Sequence, residues 1–446
     1  MPWRHRLAGV LVALLGSGCA SRPPFDPHAT VAALRQRTGA EARVDGVLPA
    51  SVPAGVRIDD GVSAEEVVAV ALWNNAAFQV SASDLGFARA DLLEAGVLTN
   101  PVLSLLFPAG PKQFEATLRL PIELLWERPR RVAAARLALD AAAQGLVQAG
   151  LDLVMSVRLA YVDLALAIDR ERIAGEAAAL FARIDALTES RRAAGDISNL
   201  EAATASIDAV RAAQDAHRAG QDVLLARQRL LLLMGQPIDA PPFTLTPSAP
   251  VECGPQADLL REALVARPDL RAAEIGVEAA AARLGWERSR ILALTAVLDA
   301  NGHGQQGFEM GPGLDLGLPV FNRNQGPRAR ADAQLRRAAA TYASLQQQVG
   351  LDIGQAALLL DQARESLKTW SDGIVVPLQD TVAQAEQAYR DGDVSYLLVL
   401  ENTRRLVEAQ TRARDLLADQ QRARARLERA VGRTCGIPSQ EFARVH

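Results

Sequence analysis

The chain has 446 residues, enough for two or three ordinary domains, but its composition argues against ordinary domains. Aromatic residues make up only 4% of it, and Ala, Leu, Arg, Gln and Glu dominate, which is typical of long, close-packed helices. The formal net charge of −4 favours neither a nucleic acid nor an anionic surface as partner, so we expect no nucleic-acid binding.

Residues 1–18 have the pattern of an export signal. Two Arg residues precede an apolar stretch, and small residues stand directly before Cys19. The apolar stretch is too short to remain as a spanning helix. The arrangement resembles a bacterial lipoprotein signal and predicts lipidation of Cys19. Gly16 stands where such signals usually have Leu, so plain secretion is the alternative. Residues 19–60 show no sustained period and predict an extended, loop-like N-terminal arm.

The rest of the chain repeats one unit, predicted at 61–250 and 251–434, with a short tail at 435–446. The segment Gly195-Asp196-Ile197-Ser198 returns 197 positions later as Gly392-Asp393-Val394-Ser395. A long fixed period indicates a duplicated architecture. Each copy opens with a helix, and in the first copy this helix is predicted from a capping box at Ser63 to about residue 99.

Two segments then change to the period of a β-strand. Apolar and polar residues alternate through 114–122 and 308–320, which predicts strands with one apolar and one wet face. Each segment has an apolar partner just upstream across a Gly- or Pro-rich turn, so each copy is predicted to contain one β-hairpin, at 101–122 and 294–320. The wet face contains Glu115, Thr117, Arg119, Glu309 and Asp315, and the apolar face contains Leu118, Leu120, Leu314, Leu316 and Leu318.

Long helical hairpins are predicted at 129–235 and 325–432. A continuous helix from Pro129 to Arg192 would be about 95 Å long, far longer than ordinary globular helices. Gly195 ends this helix, and Asp196 or Ser198 is expected to cap the helix that returns.

The second helical hairpin repeats this plan with two differences in detail. Pro377 predicts a kink in its descending helix. Gly392 forms its turn, and Asp393 is a helix-cap candidate like Asp196.

Cys253 and Cys435 each lie shortly after the Gly that ends one helical block, so the pseudo-symmetry could bring them together. An exported protein is in an oxidising compartment, where such a pair can form a disulfide. Two buried free thiols are the alternative.

The short motifs in the sequence do not indicate enzyme chemistry. The G-x-G-x-x-G pattern at 302–307 precedes a strand and opens no helix, so a hairpin loop is the better interpretation. The five histidines have no metal-binding spacing, and His303 is better explained as a solvated loop residue than as a contact for cations. We expect no enzymatic activity, no cofactor and no metal site.

The predicted strands have the length of membrane strands. Strands of about 9–11 residues can span a bilayer, where open strand edges are not tolerated. Four strands cannot close a barrel, because the smallest known barrels have eight. If the hairpins are in the membrane, several chains must share the barrel, and the helices extend the pore away from it. The alternative is a soluble helical protein with two small surface hairpins.

Three stretches carry a family resemblance: Leu98 to Pro101, Leu318 to Gly326 and Ala388 to Leu397. Together, over about residues 60–432, they resemble the TolC family of outer-membrane efflux channels, most closely its lipidated cation-efflux (CzcC-like) branch. The resemblance implies a mainly α fold with long antiparallel helical hairpins forming a periplasmic tunnel. It also implies a homotrimer whose twelve-stranded membrane barrel takes four strands from each protomer.

The resemblance further implies a passive exit duct of a tripartite efflux system in the outer membrane, lipid-anchored and barrel-inserted. Its partners would be a periplasmic adaptor (membrane fusion) protein, an inner-membrane pump of the RND type and outer-membrane lipid. The substrates would be heavy-metal cations or small toxic compounds. Two alternatives are a duct for type I protein secretion and a non-channel periplasmic scaffold lipoprotein.

In this family the two helix–helix turns form the periplasmic tip and gate. By matching, these are Gly195-Asp196 and Gly392-Asp393, with Tyr389 at the position of a tip tyrosine and Glu401 at an acidic position that can ring the constriction. Core packing is the alternative role for Tyr389, and a solvated helix face is the alternative for Glu401. Val394 replaces the family's tip Arg, so a salt-bridge latch of that kind is not expected.

Overall fold

The computed structural model describes residues 27–44, 46, 49–58, 61–107, 114–246, 253–291, 293–303 and 307–435. The export signal, Cys19 and residues 436–446 of the tail lie outside this part. The first repeat contains α1 (Pro27–Thr38), α2 (Ala64–Asn74), α3 (Ala76–Gly96), β1 (Val102–Leu106), β2 (Glu115–Pro121), α4 (Leu124–Ala194) and α5 (Asn199–Leu233). The second contains α6 (Gln256–Ala266), α7 (Pro268–Ser289), β3 (Ala293–His303), β4 (Gly307–Gly317), α8 (Gln325–Trp370), a π-helical segment (Ser371–Val375), α9 (Val376–Asp391) and α10 (Tyr396–Val431).

The N-terminal arm is not entirely extended, because α1 forms within it. Leu34 of α1 is only 2% exposed and lies against Gly150 of α4, where a Cβ would come within 2.6 Å of a Leu34 methyl group. Thr434 donates its backbone N–H to the carbonyl of Arg37, so α1 also contacts the end of the second repeat. Packing against distant elements stabilises this short helix, which its own sequence pattern did not predict.

The first predicted helix is two helices that meet at Asn75. Ser63 caps α2 through the expected capping box with Glu66. Asn75 then adopts an extended conformation, with φ −63° and ψ 118°, and its side chain accepts the N–H of Phe78 to start α3. The same side chain donates to the carbonyl of Leu233. A single residue that caps both neighbours therefore divides the predicted continuous helix.

The four strands form one antiparallel sheet in the order β1-β2-β3-β4. Both predicted hairpins are present, and β2 pairs with β3 to join them. β4 ends at Gly317, so Leu318 and Val320 lie beyond the strand that was expected to include them. β3 continues to His303, which places Gly302 and His303 in a strand and not in a loop.

The helix α4 has 71 residues, which corresponds to about 105 Å. It begins at Leu124, before the predicted start at Pro129, and it includes that proline near its first turns. The descending helix of the second repeat contains the π-helical segment, which ends two residues before Pro377, where the sequence predicted a kink. None of the helices that the structure describes is apolar over a length that would cross a membrane.

The buried core is distributed along the helices. The largest cluster joins α2 and α3 to α4 and α5, and a second joins α6, α8 and α10. A third cluster brings α4, α5, α9 and α10 together near the two helix–helix turns. Cys253 and Cys435 are joined by a disulfide, which links the residues just before α6 to those just after α10.

Candidate functional site

The sheet has one polar face, and the five strand residues predicted to share a face lie on it. Thr117 Oγ1 donates to Asp299 Oδ1 at 2.8 Å, and Asn301 Nδ2 donates to Asp299 Oδ2 at 3.0 Å. Arg119 Nε lies 3.7 Å from Asp315 Oδ2, and its Nη1 lies 3.5 Å from Ser104 Oγ. The register places Glu115 and Glu309 in the same row, on either side of Asn301.

This face carries excess negative charge. The described strands place one guanidinium, Arg119, and four carboxylates on it, which gives a formal charge of −3 per chain. The carboxylates are those of Glu115, Asp299, Glu309 and Asp315. Sequence reasoning missed Asp299, although β3 has an alternating pattern too. A water-exposed surface with this net negative charge attracts cations and repels anions.

The opposite face of the sheet is apolar throughout. It contains Leu103, Leu105, Ala116, Leu118, Leu120, Leu294, Ala296, Leu298, Ala300, Met310, Pro312, Leu314 and Leu316. Several of these side chains are substantially exposed, for example Leu314 at 60% and Met310 at 65%. Phe107 and Phe114 stack edge to face at one end of the sheet, with ring centroids 5.9 Å apart.

The register also shows which apolar residue lies at the centre of the strands. Leu298 and Pro312 form the sixth of the eleven β3–β4 pairs, whereas Leu316 belongs to the second pair from one end. Leu316 therefore lies near one end of the hairpin, and Leu298 lies at its centre.

The two helix–helix turns have the same backbone geometry. Gly195 and Gly392 end their helices with φ of 85° and 87°, a left-handed conformation that glycine adopts without strain. The following N–H groups, of Asp196 and Asp393, bond back to Arg191 and Ala388 carbonyls at 2.9 Å. Both carboxyl groups are exposed.

Neither aspartate is the N-cap of the returning helix. Ser198 is the N-cap of α5, where it accepts the N–H of Glu201, and Ser395 is the N-cap of α10. Because each glycine turn continues for two residues before the new helix begins, the caps fall on the serines.

Tyr389 is packed at the centre of the cluster near the turns and is 2% exposed. The Arg191 guanidinium, from the first turn, lies 5.1 Å from the Tyr389 ring centroid and donates to the Tyr389 carbonyl at 3.4 Å. An arginine therefore does stand beside the second tip, although it comes from the opposite turn and not from position 394. Its sequence position, 198 residues away, gave no signal of this contact.

A polar connection between the two repeats lies just above these turns. The Tyr396 hydroxyl donates to Asp208 Oδ2 at 3.2 Å, and Arg404 Nη2 lies 2.7 Å from Asp208 Oδ1. Burial and the neighbouring Asp208 carboxylate raise the pKa of Tyr396, so its hydroxyl stays protonated and donates. The sequence carries no signal of this group, since its members lie on helices of different repeats.

Glu401 is exposed and forms an ion pair with Arg405 one turn along α10, at 2.9 Å. No other partner is present among the described residues of this chain. The geometry is therefore that of a surface carboxylate on a helix whose neighbours in an assembly determine its role.

One group of possible metal ligands is close enough to share an ion within the described ranges: Cys253, Cys435 and Glu428. Its two sulfur atoms are bonded to each other. Glu428 accepts the N–H of Cys435 at 3.1 Å and pairs with Arg158 and Arg424. All three groups are engaged in structural contacts.

The profile of a protein family described as outer membrane efflux protein matches residues 78–236 and 259–433, one match in each repeat. The chain belongs to the outer membrane efflux protein family. This confirms the family that the sequence motifs predicted, and with it the function of an outer-membrane efflux channel.

Individual relatives of this outer membrane efflux protein agree with the family. It is 26% identical to the cobalt-zinc-cadmium resistance protein CzcC of Cupriavidus metallidurans over 83% of this chain and 90% of that protein. It is 28% identical to the probable outer membrane lipoprotein SilC of Salmonella typhimurium over 41% and 42% of the two chains.

Solved structures share the fold. VceC of Vibrio cholerae has a TM-score of 0.70 at 19% identity, covering 83% of this chain and 96% of that one. CusC has a TM-score of 0.69 at 19% identity, covering 87% and 97%.

Proposed function

We propose that this outer membrane efflux protein is the exit duct of a tripartite efflux system and works as a trimer. Each chain would contribute its four strands to one twelve-stranded barrel. The observation that carries the proposal is the sheet, which has one apolar, largely exposed face and two edge strands, β1 and β4, that pair on one side only among the described strands. Contact between the apolar face and lipid is favourable, but the open backbone groups of the two edges are unfavourable in lipid unless they pair with another chain.

The dimensions of the sheet support a membrane position. β3 and β4 each have 11 residues, which is about 36 Å of strand and about 25 Å of membrane thickness at a 45° tilt. The paired aromatic rings of Phe107 and Phe114 lie at one end, where barrels place an aromatic girdle. The polar face, with its charge of −3 per chain, would line the lumen.

The helices would extend the duct into the periplasm, and the turns at Gly195 and Gly392 would form its tip. Tyr389, Asp393 and Glu401 of the second repeat are the proposed gate residues, with Asp196 on the other turn. The interruption of the helix at Ser371–Val375, which has no buried residues, supports this choice because a π-helical turn often marks a functional site.

Metal cations are the substrate class that we favour. The relative CzcC is named for resistance to cobalt, zinc and cadmium, and the acidic polar face of the sheet suits cations. A periplasmic adaptor and an inner-membrane pump would supply the substrate and the energy, so the duct itself would be passive. Lipid at Cys19, predicted from the signal sequence, would be a second membrane attachment.

Conductance in planar bilayers tests the proposal. The purified protein should insert as a trimer and form channels that prefer K⁺ over Cl⁻. Variants that replace Asp299 and Asp315 by Asn should shift the reversal potential toward that of a non-selective pore. A protein that remains monomeric in lipid, or forms no channels, would contradict the duct.

A further inference from the structure

The residues that follow α10 connect segments that are far apart in the sequence. Gly432 ends α10 in the left-handed conformation, and residues 432–435 form a turn that we call the α10 turn. At the far end of this turn, Cys435 is bonded to Cys253, which precedes α6. No described helix or strand follows the α10 turn, so side-chain contacts and the disulfide hold it in place.

The α10 turn binds the N-terminal arm through three hydrogen bonds, all of which involve Arg37 in the last turn of α1. The backbone N–H and the hydroxyl of Thr434 both donate to the Arg37 carbonyl, at 2.9 and 3.2 Å. In return, Arg37 Nη1 donates to the Gly432 carbonyl at 3.1 Å. Burial lowers the pKa of the Arg37 guanidinium to about 10, so this group is still charged at neutral pH. The contact is therefore a partly buried, charge-assisted one.

The helix α1 needs such contacts to form. It has 12 residues, a length at which an isolated helix is marginal in water. Leu34 packs against Gly150 of α4, and Arg37, one turn further on, binds the α10 turn. The C-terminal end of α1 is thus held by the end of the second repeat.

Two links fix the α10 turn, and Thr434 lies between them. Arg433 forms a bidentate ion pair with Glu262 of α6, in which Nη2 lies 2.9 Å from Oε2. The disulfide holds the other side. Without it, Cys435 would keep, among the contacts that the structure describes, the bond from its N–H to Glu428. A segment beyond the last helix stays ordered only where it is tied down, so loss of the disulfide should release Thr434 from α1.

The next part of the arm is attached to the first repeat separately. Gln79 Nε2 donates to the Arg43 carbonyl at 2.6 Å, and the Ser51 N–H donates to Asn74 Oδ1 at 3.1 Å. Both bonds lie near the break between α2 and α3, and neither involves the α10 turn. This part of the arm should therefore keep its position whether or not the disulfide is present.

We propose that the Cys253–Cys435 disulfide is a redox lock for the N-terminal arm: α1 is docked when the bond is formed and is released when it is reduced. Forming the bond removes two electrons and two protons from the two thiols, and a disulfide oxidant accepts them and becomes a dithiol. Disulfides form in the compartments that exported proteins reach, so α1 would dock after export.

The lock also bears on the predicted lipid attachment. α1 begins eight residues after Cys19, the predicted lipidation site. A docked α1 would limit how far the lipid attachment can move from the helices, and a released α1 would lengthen this tether. The lock does not depend on the proposed trimeric duct.

Amide hydrogen exchange of the full-length protein, with and without a dithiol reductant, tests the lock. Reduction should speed exchange in residues 27–38 at least about tenfold and change the amides of Arg43 and Ser51 by less than about twofold. Alkylation followed by mass analysis confirms that both cysteines are free. Cys253→Ser/Cys435→Ser should give the same pattern without reductant, which covers a bond that the reductant does not reach. If this variant does not fold, reduction of the folded wild-type protein provides the same test.

Arg37→Met is the matched variant, because it removes the donor to Gly432 and leaves both cysteines in place. It should speed exchange of α1 in the oxidised protein, and reduction should then have a smaller effect than in the wild type, since both changes act on one contact.

Three results would overturn the lock. The first is unchanged exchange of α1 once both cysteines are free. The second is equal acceleration of α1, Arg43 and Ser51, because the disulfide would then stabilise the whole chain and not the arm. The third is an equal effect of reduction in Arg37→Met and in the wild type. A protein that forms no trimer or channel would contradict the duct and leave the lock intact.

Discussion

Replacing Leu298 by Arg tests which face of the sheet meets lipid and where its centre lies. Leu298 forms the middle pair of the β3–β4 hairpin and belongs to the wholly apolar face, with Leu118 beside it on β2. An arginine at the bilayer midplane destabilises a barrel by about 2–4 kcal/mol, falling to about 0–1 kcal/mol near the interfaces. We expect Leu298→Arg to destabilise the barrel by about 2–4 kcal/mol, the cost at the midplane.

Two arginine variants of β4 serve as matched controls. Leu316 lies four pairs from the centre, about 13 Å along the strand, so Leu316→Arg should cost about 1 kcal/mol or less. Gly311 is on the polar face opposite Asp299, and a Cβ there has no atom within 4 Å. Gly311→Arg should therefore be close to neutral, since its charge faces water and a carboxylate.

The assay is urea-dependent unfolding of the protein refolded into lipid vesicles, with trimer content as a second measure. The expected order of destabilisation is Leu298→Arg, then Leu316→Arg, then Gly311→Arg. If Gly311→Arg is as harmful as Leu298→Arg, the face assignment is wrong. If Leu316→Arg is the worst of the three, the register of the sheet in the membrane is wrong.

Three further predictions concern other parts of the chain. Asp269→Asn removes the bidentate partner of the 1% exposed Arg267, which keeps its ion pair with Asp352, and should cost about 1–3 kcal/mol in urea unfolding. Asp258→Asn, at an exposed pair, should change stability by under about 0.5 kcal/mol. Burial raises the pKa of Asp269, but the opposite effect of Arg267 is larger, so the pKa of Asp269 is lowered. The stability that this ion pair contributes is therefore fully present above the usual Asp pKa and is lost as the pH falls through the lowered pKa of Asp269. Asp269→Asn should not show this loss. Glu401→Gln should shift the reversal potential of single channels, and unchanged values would remove this residue from the constriction. Tyr389→Phe should leave the free energy of unfolding nearly unchanged, because the buried hydroxyl has no hydrogen-bond partner in the described chain. Tyr389→Ala should cost about 3–5 kcal/mol and speed hydrogen exchange in residues 385–400.

Local signals made much of the fold predictable. Gly195 and Gly392 end helices in the left-handed conformation that favours glycine, so their turns could be placed to the residue. Alternation along β2 and β4 assigned each side chain to a face, because successive residues of a strand point to opposite sides. These features depend on a few neighbouring residues and need no knowledge of the rest of the chain.

The parts that could not be predicted depend on contacts between distant segments. α1 forms where Leu34 finds Gly150, and the helix break at Asn75 is stabilised by the carbonyl of Leu233. At the candidate gate, Arg191 reaches Tyr389 across almost 200 residues. No sequence period marks such pairs, because each is set by how the helices pack.

The contrast between the two turns explains why we place the gate on the second. The repeat pairs Tyr389 with Arg192, yet Tyr389 is buried in the four-helix cluster, whereas the Arg192 side chain is 40% exposed and pairs with Glu189 on its own helix. The second turn contacts the first repeat through Tyr389, beside Arg191, and through the hydrogen bond of Tyr396 to Asp208, and the helix above it contains the π-helical segment. The first turn continues from an unbroken helix of 71 residues. Because a π-helical turn often marks a functional site, we expect opening to move the second turn against the first, which would break the Tyr389–Arg191 and Tyr396–Asp208 contacts.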